Sequence, residues 1–245
     1  MSDPQRATVL DAVRVVAFDI FGTTVDWRTG VAEQVAEIFT ARGVALDAGA
    51  FADTWRDRYL PAMARVNRGE RAWAYLDTLH RESLEALLDE HGVAAAVDET
   101  DRRRLVSAWH RLPAWPDAVD GLARLRSRYT VVALSNGGFA LLTALIKAAG
   151  LPFDAICSAE LACAYKPDPQ PYRTTAALLD VHPDQVLMVA AHGWDIDGAR
   201  AAGLHTAFLE RPGEKGPHRP ADRAADTTCD LTVDSTGDLA DVLGC

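Results

Sequence analysis

The stretch VRVVAFDIFGTT, residues 13–24, decides the fold: a short, β-branched, almost wholly apolar run, Val13 to Phe18, stops at a carboxylate, Asp19. A strand that is apolar at nearly every position is buried on both faces, as happens in a parallel sheet covered by helices. Runs of the same kind recur at Tyr129–Leu134 (YTVVAL), ending at Ser135-Asn136-Gly137, and at Gln185–Ala190 (QVLMVA), ending near His192. A fourth, Thr206–Leu209 (TAFL), ends at an Arg-Pro-Gly loop. Helical stretches such as Pro116–Ser127 and Ala140–Ala149 lie between them. This alternation predicts an α/β protein with a Rossmann-like, doubly wound parallel sheet.

Strand 1 and the Tyr129 strand are about a hundred residues apart, far more than a normal crossover needs, and the interval holds no strand-like run. It reads instead as amphipathic helices: Val31, Val35, Ile38 and Phe39 before Gly43; Phe51, Trp55 and Tyr59 before a breaker, Pro61; Trp73, Leu76, Leu79, Leu84, Leu87 and Leu88 before Gly92; and Leu105, Val106 and Trp109 before Pro113. The segment Pro113-Ala-Trp-Pro116 reads as the return hinge. The expected organisation is therefore a discontinuous core, 1–28 and 115–245, with an all-helical cap inserted at 29–114.

Composition narrows the partners. The 245 residues carry 25 Lys+Arg against 35 Asp+Glu, a formal charge of −10, so polyanions such as nucleic acid and anionic membrane surfaces are disfavoured. At 49% hydrophobic and 24% charged residues the chain can bury a real core. Met1–Leu10 shows no basic-then-apolar leader and no apolar run approaches bilayer length, which predicts a cytoplasmic protein. Cys157, Cys163, Cys229 and Cys245 have no metal-ligand spacing and read as reduced thiols.

In doubly wound sheets the ligand crevice lies at the carboxyl ends of the strands, where four polar clusters fall. They are Asp19-Ile-Phe-Gly-Thr-Thr24, Ser135-Asn136-Gly137, Lys166-Pro167-Asp168-Pro169 and His192-Gly-Trp-Asp195-Ile-Asp-Gly198-Ala199. Singly, each has an ordinary explanation: a capping aspartate, a β-α turn, a solvated loop lysine, a structural histidine. Their combination and order are far more specific. With a helical insert after the first, they resemble the haloacid dehalogenase superfamily over nearly the whole chain. AFDIFGTTVD, LSNG, YKPDPQPY and HGWDIDGA are most similar to type II 2-haloacid dehalogenases.

The resemblance implies a nucleophile at Asp19, held ionised by Lys166, with Thr23 hydrogen-bonded to it and Asp195 orienting Lys166 and the hydrolytic water. It implies hydrolysis of a short 2-halo acid, with halide and a 2-hydroxy acid as products, through an aspartyl ester and without cofactor or metal. Arg56 and Asn136 would receive the halide; Ser135 and main-chain N–H groups after Asp19, that of Ile20 included, would meet the substrate carboxylate. Tyr59, Leu60, Trp73 and Trp194 are candidate apolar walls, with plain packing as the alternative for each, evenly balanced for Trp73.

Most of the superfamily are Mg-dependent phosphatases, in which a second aspartate two residues after the nucleophile protonates the leaving alcohol. Here that position is Phe21, and the Mg-binding carboxylate expected four residues before Asp195 is replaced by Ala191. A halide leaves as a stable anion and needs no proton, so both departures favour dehalogenation. His192 stands where the best-known members have Asn, and Ala190 where they have serine. An imidazole can accept a proton near neutral pH, which makes His192 a candidate for water activation. His-x-x-Asp, Val25-Asp-Trp-Arg-Thr-Gly30 and Gly216-Pro-His218 are closer to the branch containing fluoroacetate-active enzymes. The alternatives are a small-metabolite phosphatase and a non-catalytic small-molecule-binding protein of the same fold. Exposed aromatics on the cap helices would suit a homodimer.

Overall fold

The computed structural model describes residues 11–245; Met1–Leu10, read above for a leader, lie outside the described residues. Six strands form one sheet: β1 (Val15–Phe18), β2 (Thr130–Ser135), β3 (Ala155–Ser158), β4 (Val186–Ala190), β5 (His205–Leu209) and β6 (Leu231–Val233). All pairings are parallel and the order is β3-β2-β1-β4-β5-β6. The chain winds from β1 outward to β3, then returns to lay β4 on the other side of β1. The switch point, where a crevice must open, is therefore at the carboxyl end of β1.

Every residue of β1 is buried because both faces are covered. Val16 and Phe18 join Val131, Ala133, Leu187 and Val189 in one apolar cluster, whereas Val15 and Ala17 join Val132, Leu134, Val186 and Met188 in another. Successive side chains of a strand point to opposite faces, so an unbroken apolar run feeds two cores at once. The strands β3 and β6 are absent from the sequence expectation. Both are edge strands of four and three residues, too short for a period to register.

Five helices fill the interval after β1: α1 (Trp27–Ala41), α2 (Ala48–Asp57), α3 (Tyr59–Asn67), α4 (Leu76–Glu90) and α5 (Glu99–Ala108). Aspartates accept from the free N–H groups that open three of them, Asp26 for α1, Asp47 for α2 and Asp98 for α5. Two expectations are corrected here. Pro61 does not break a helix; it is the third residue of α3, where its missing N–H is one that would have no helical partner anyway. Trp73 precedes α4 instead of belonging to it. The outgoing and returning chains are tied together: Asp26 N–H donates to the Pro113 carbonyl (2.9 Å), Trp115 N–H to that of Thr24 (3.0 Å), and Val25 bridges Ala114 antiparallel.

The remaining helices, α6 (Ala118–Leu125), α7 (Phe139–Ala149), α8 (Pro169–Leu178), α9 (Gly193–Ala202) and α10 (Thr236–Val242), cover the sheet. The four cysteines are free, and no helix among the described residues is long and apolar enough to cross a membrane. In α9, Gly198 lets the helix press on the Lys166–Pro167 segment: a Cβ there would lie 2.7 Å from both Pro167 Cβ and the Tyr172 hydroxyl. Gly198→Ala is expected to lower stability by about 1–3 kcal/mol in urea denaturation, the usual cost of overpacking a close contact.

Candidate active site

At the carboxyl end of β1 the Asp19 N–H donates to the Val189 carbonyl of β4 (3.0 Å), which locks the residue into the sheet while its side chain projects beyond it. Its carboxylate is gripped from two sides. Lys166 Nζ donates to Oδ1 (3.0 Å), and the Thr23 hydroxyl donates to Oδ2 (2.9 Å) while accepting the Ala191 N–H (2.9 Å). Just beyond, the main-chain N–H groups of Ile20 and Phe21 meet no acceptor among the described residues, because the turn's internal bonds use those of Gly22, Thr24 and Val25. They form a ready receptor for a small anion.

Lys166 spends all three ammonium protons: on Asp19, on Asp195 Oδ2 (2.5 Å) and on the Leu134 carbonyl (2.9 Å). It is 1% exposed, so its charge is felt by both carboxylates with little screening. Asp195, in the first turn of α9, is held on its other oxygen by the Tyr172 hydroxyl (2.6 Å). Burial alone would raise the Asp19 carboxyl, but the charges of Lys166 and of the adjacent His192 hold it well below the usual carboxylate range.

His192 sits between two carboxylates. Its Nδ1 lies 3.3 Å from Asp19 Oδ2, off hydrogen-bond geometry and without another partner, and its Nε2 is 3.3 Å from Glu214 Oε1. Burial disfavours the imidazolium, yet Asp19 and Glu214 outweigh it and push His192 up to about 9. Glu214 is buried too. Burial works to raise its carboxyl, and His192 first, then Arg56 and the Trp27 Nε1–H that donates to it, bring it down to about 2. Gly22 makes room for Glu214: its φ is +91°, and a Cβ there would come within 2.5 Å of Oε1.

Above this floor α2 delivers Arg56. Its guanidinium rests over the rings of Tyr59 (4.0 Å), Trp27 (5.3 Å) and Phe21 (5.9 Å), no carboxylate of the described residues pairs with it, and its buried Nη1 has no partner. An aromatic cage thus holds the cation without neutralising it. Trp27, Arg56, Tyr59, Leu60, His192, Trp194 and Glu214 line a cavity of about 330 Å³, with Asp57, Lys215, Arg219 and Asp222 at its rim. Trp194 stacks on His192 at 5.5 Å.

Of the residues singled out from sequence, Asp19, Ile20, Thr23, Lys166, His192, Trp194, Asp195, Arg56, Tyr59 and Leu60 come together here. Asn136 and Ser135 lie beneath, buried. The Asn136 amide pairs with both main-chain groups of Lys166, and Ser135 Oγ accepts the Gly137 N–H (3.2 Å) while its own proton meets no acceptor among the described residues. Trp73 is not brought to the cavity; it stacks on Tyr165 with ring centroids 4.6 Å apart. Sequence reasoning missed Tyr172, Glu214 and Trp27. Tyr172 closes the YKPDPQPY motif and could have been found there, but Glu214 lies in a loop whose return to Gly22 leaves no local signal.

The two positions at which the phosphatase pattern needs oxygen are Phe21, packed edge-on to Trp109, and Ala191; neither side chain offers a donor. A family model for haloacid dehalogenase-like hydrolases matches residues 13–203. The chain belongs to that family. It is 33% identical over 207 residues to (S)-2-haloacid dehalogenase 1 of Pseudomonas sp. (strain CBS-3), covering 82% of this chain and 86% of that protein. Among solved structures, a defluorinating L-2-haloacid dehalogenase superposes with a TM-score of 0.92 at 44% identity, covering 95% of this chain and 96% of the other. The L-2-haloacid dehalogenase of Xanthobacter autotrophicus with chloropropionic acid covalently bound gives 0.79 at 27% identity, covering 95% and 98%.

Because His192 is raised from 6.5 to about 9, its contribution to stability is fully present below pH 6.5 and is lost as pH climbs through 9. Between those values the wild type is expected to lose on the order of 3 kcal/mol that His192→Asn does not lose. Denaturant titrations at the two ends of the window measure the difference.

Proposed function

We propose that this chain hydrolyses short 2-haloalkanoic acids by covalent displacement on Asp19. One observation carries the reading: a buried carboxylate held ionised by Lys166 lies directly against His192, which lines a small cavity together with a caged arginine that has no carboxylate partner among the described residues. The curated relative at 33% identity is an (S)-2-haloacid dehalogenase, and the solved Xanthobacter autotrophicus structure holds chloropropionic acid covalently.

In this reading the substrate carboxylate is received by the Ile20 and Phe21 N–H groups and the Ser135 hydroxyl. An Asp19 oxygen attacks the α-carbon opposite the carbon–halogen bond; the C–O bond forms as the C–X bond breaks, and the halide departs toward Arg56 and the Asn136 N–H that Lys166 does not take. Lys166 keeps the nucleophile anionic and aimed. Water then adds to the Asp19 carboxyl carbon and the bond from that carbon to the ester oxygen breaks; one water proton goes to the departing alkoxide, completing the 2-hydroxy acid, the other goes to the base, and Asp19 returns as a carboxylate.

His192 is charged while Asp19 is ionised, so it is no base in the resting enzyme. Esterification removes the negative charge beside Nδ1 and leaves Glu214 alone to support the imidazolium, which then sheds its proton to solvent through the cavity. The neutral ring takes the proton of the attacking water, and Asp19 reappears as the anion that re-stabilises the cation. Water activation is thereby timed to the ester.

Halide release from chloroacetate, 2-chloropropionate and fluoroacetate tests the reading, with fluoroacetate included because a neighbour at 44% identity is defluorinating. Asp19→Asn is expected to abolish release, and a single turnover in ¹⁸O-labelled water to leave label in Asp19. Label confined to the product with enzyme in excess defeats the covalent route. His192→Asn is expected to give a stoichiometric halide burst followed by steady turnover slowed about 100-fold, the usual scale of a lost general base; unchanged ester hydrolysis removes His192 from the mechanism.

A further inference from the structure

Lys166 and Tyr165 lie outside any helix or strand, so no ladder holds their main chain. Beside one turn bond, from the Asp168 N–H to the Tyr165 carbonyl (3.0 Å), two asparagines hold it. Lys166 N–H donates to Asn136 Oδ1 (2.7 Å) and Asn136 Nδ2 to the Lys166 carbonyl (3.2 Å), from the core. Tyr165 N–H donates to Asn67 Oδ1 (2.9 Å) and Asn67 Nδ2 to the Tyr165 carbonyl (2.7 Å), from the cap. An asparagine amide carries an acceptor oxygen and two donor N–H groups, so each reproduces for one residue the two-way pairing of a neighbouring strand. Cap residues also seat the Tyr165 side chain: its hydroxyl donates to the Ala74 carbonyl (2.6 Å) and its ring stacks on Trp73.

Asn67 is the last residue of α3, the helix whose first residue, Tyr59, lies under the Arg56 guanidinium. One short rigid helix therefore ends on the arginine cage at one side and on the lysine segment at the other. We propose that Asn67 is a positioning residue: its amide, by pairing with both main-chain groups of Tyr165, couples the seating of the cap to the placement of the Lys166 ammonium between Asp19 and Asp195. The cap then does more than roof the cavity, since displacing it loosens the cation that aligns the nucleophile. The kinetic part of this inference rests on the activity proposed above.

The decisive variant is Asn67→Asp, which keeps the shape and the acceptor for Tyr165 N–H but sets an acceptor against the Tyr165 carbonyl; Asn67→Ala removes both bonds. In each, kcat for chloroacetate is expected to fall about tenfold, the scale of a slightly misplaced catalytic group, with KM within about twofold of the wild type. A cap that is merely loosened would instead raise KM, because Arg56 and the cavity walls move with it. A second readout is independent of turnover. The chain has three lysines, Lys147, Lys166 and Lys215, and only Lys166 is enclosed by three acceptors. Its ammonium protons should exchange slowly enough to give a ¹H–¹⁵Nζ resonance, assigned by its loss in Lys166→Arg. That resonance is expected to shift or broaden in both variants. A wild-type-like Lys166 resonance in a folded Asn67→Asp protein, or a loss that falls on KM alone, overturns the inference. Absence of halide release by the wild type overturns the proposed activity and leaves the resonance to decide the clamp.

Discussion

One buried ammonium organises this protein. Lys166 lies between Asp19 and Asp195 with every proton committed, and a charge so placed is stable only because both carboxylates are within hydrogen-bond distance. Everything that meets at the switch point of the sheet supports that arrangement. β1 supplies Asp19, the first turn of α9 supplies Asp195, Tyr172 steadies the latter, and asparagines from core and cap grip the chain on which the lysine stands.

The same centre shows how an acidic protein can enclose positive charge at one crevice. Three carboxyl groups, Asp19, Asp195 and Glu214, are enclosed with three basic ones, Lys166, His192 and Arg56. Net charge of the whole chain governs approach of large partners and is screened over roughly 10 Å, whereas these enclosed groups act on one another with little screening. Arg56 is the member with no carboxylate paired to it among the described residues, since aromatic rings surround its guanidinium. Phe21 thus has a positive role as one wall of that cage, in addition to displacing a proton donor.

Much of this was legible in the sequence. Apolar runs ending in Asp19, Ser135 and His192 located the inner strands, and helical periodicity located the helices that follow β1, because these features follow from local burial patterns. The edge strands β3 and β6 were not legible, since a few residues carry no period. Pro61 misled because a proline is read as a breaker unless the start of the next helix is known. In sequence Trp73 is evenly balanced between cavity wall and plain packing, and in the structure it stacks on Tyr165, a choice between two apolar surfaces that only packing makes.

By itself, the sequence determined the fold class, the order of the polar clusters and the chemistry they contain, since each is written in a continuous stretch of chain. Only the tertiary structure decided what faces what. Glu214 reaches His192 from a loop 22 residues away in sequence and folds over Gly22 from still farther, and Asn67 meets Tyr165 across 98 positions. The protonation of His192, the freedom of Arg56 and the two-sided grip on Lys166 depend on such long-range neighbours, because charge and hydrogen bonding act through distance in space and not along the chain.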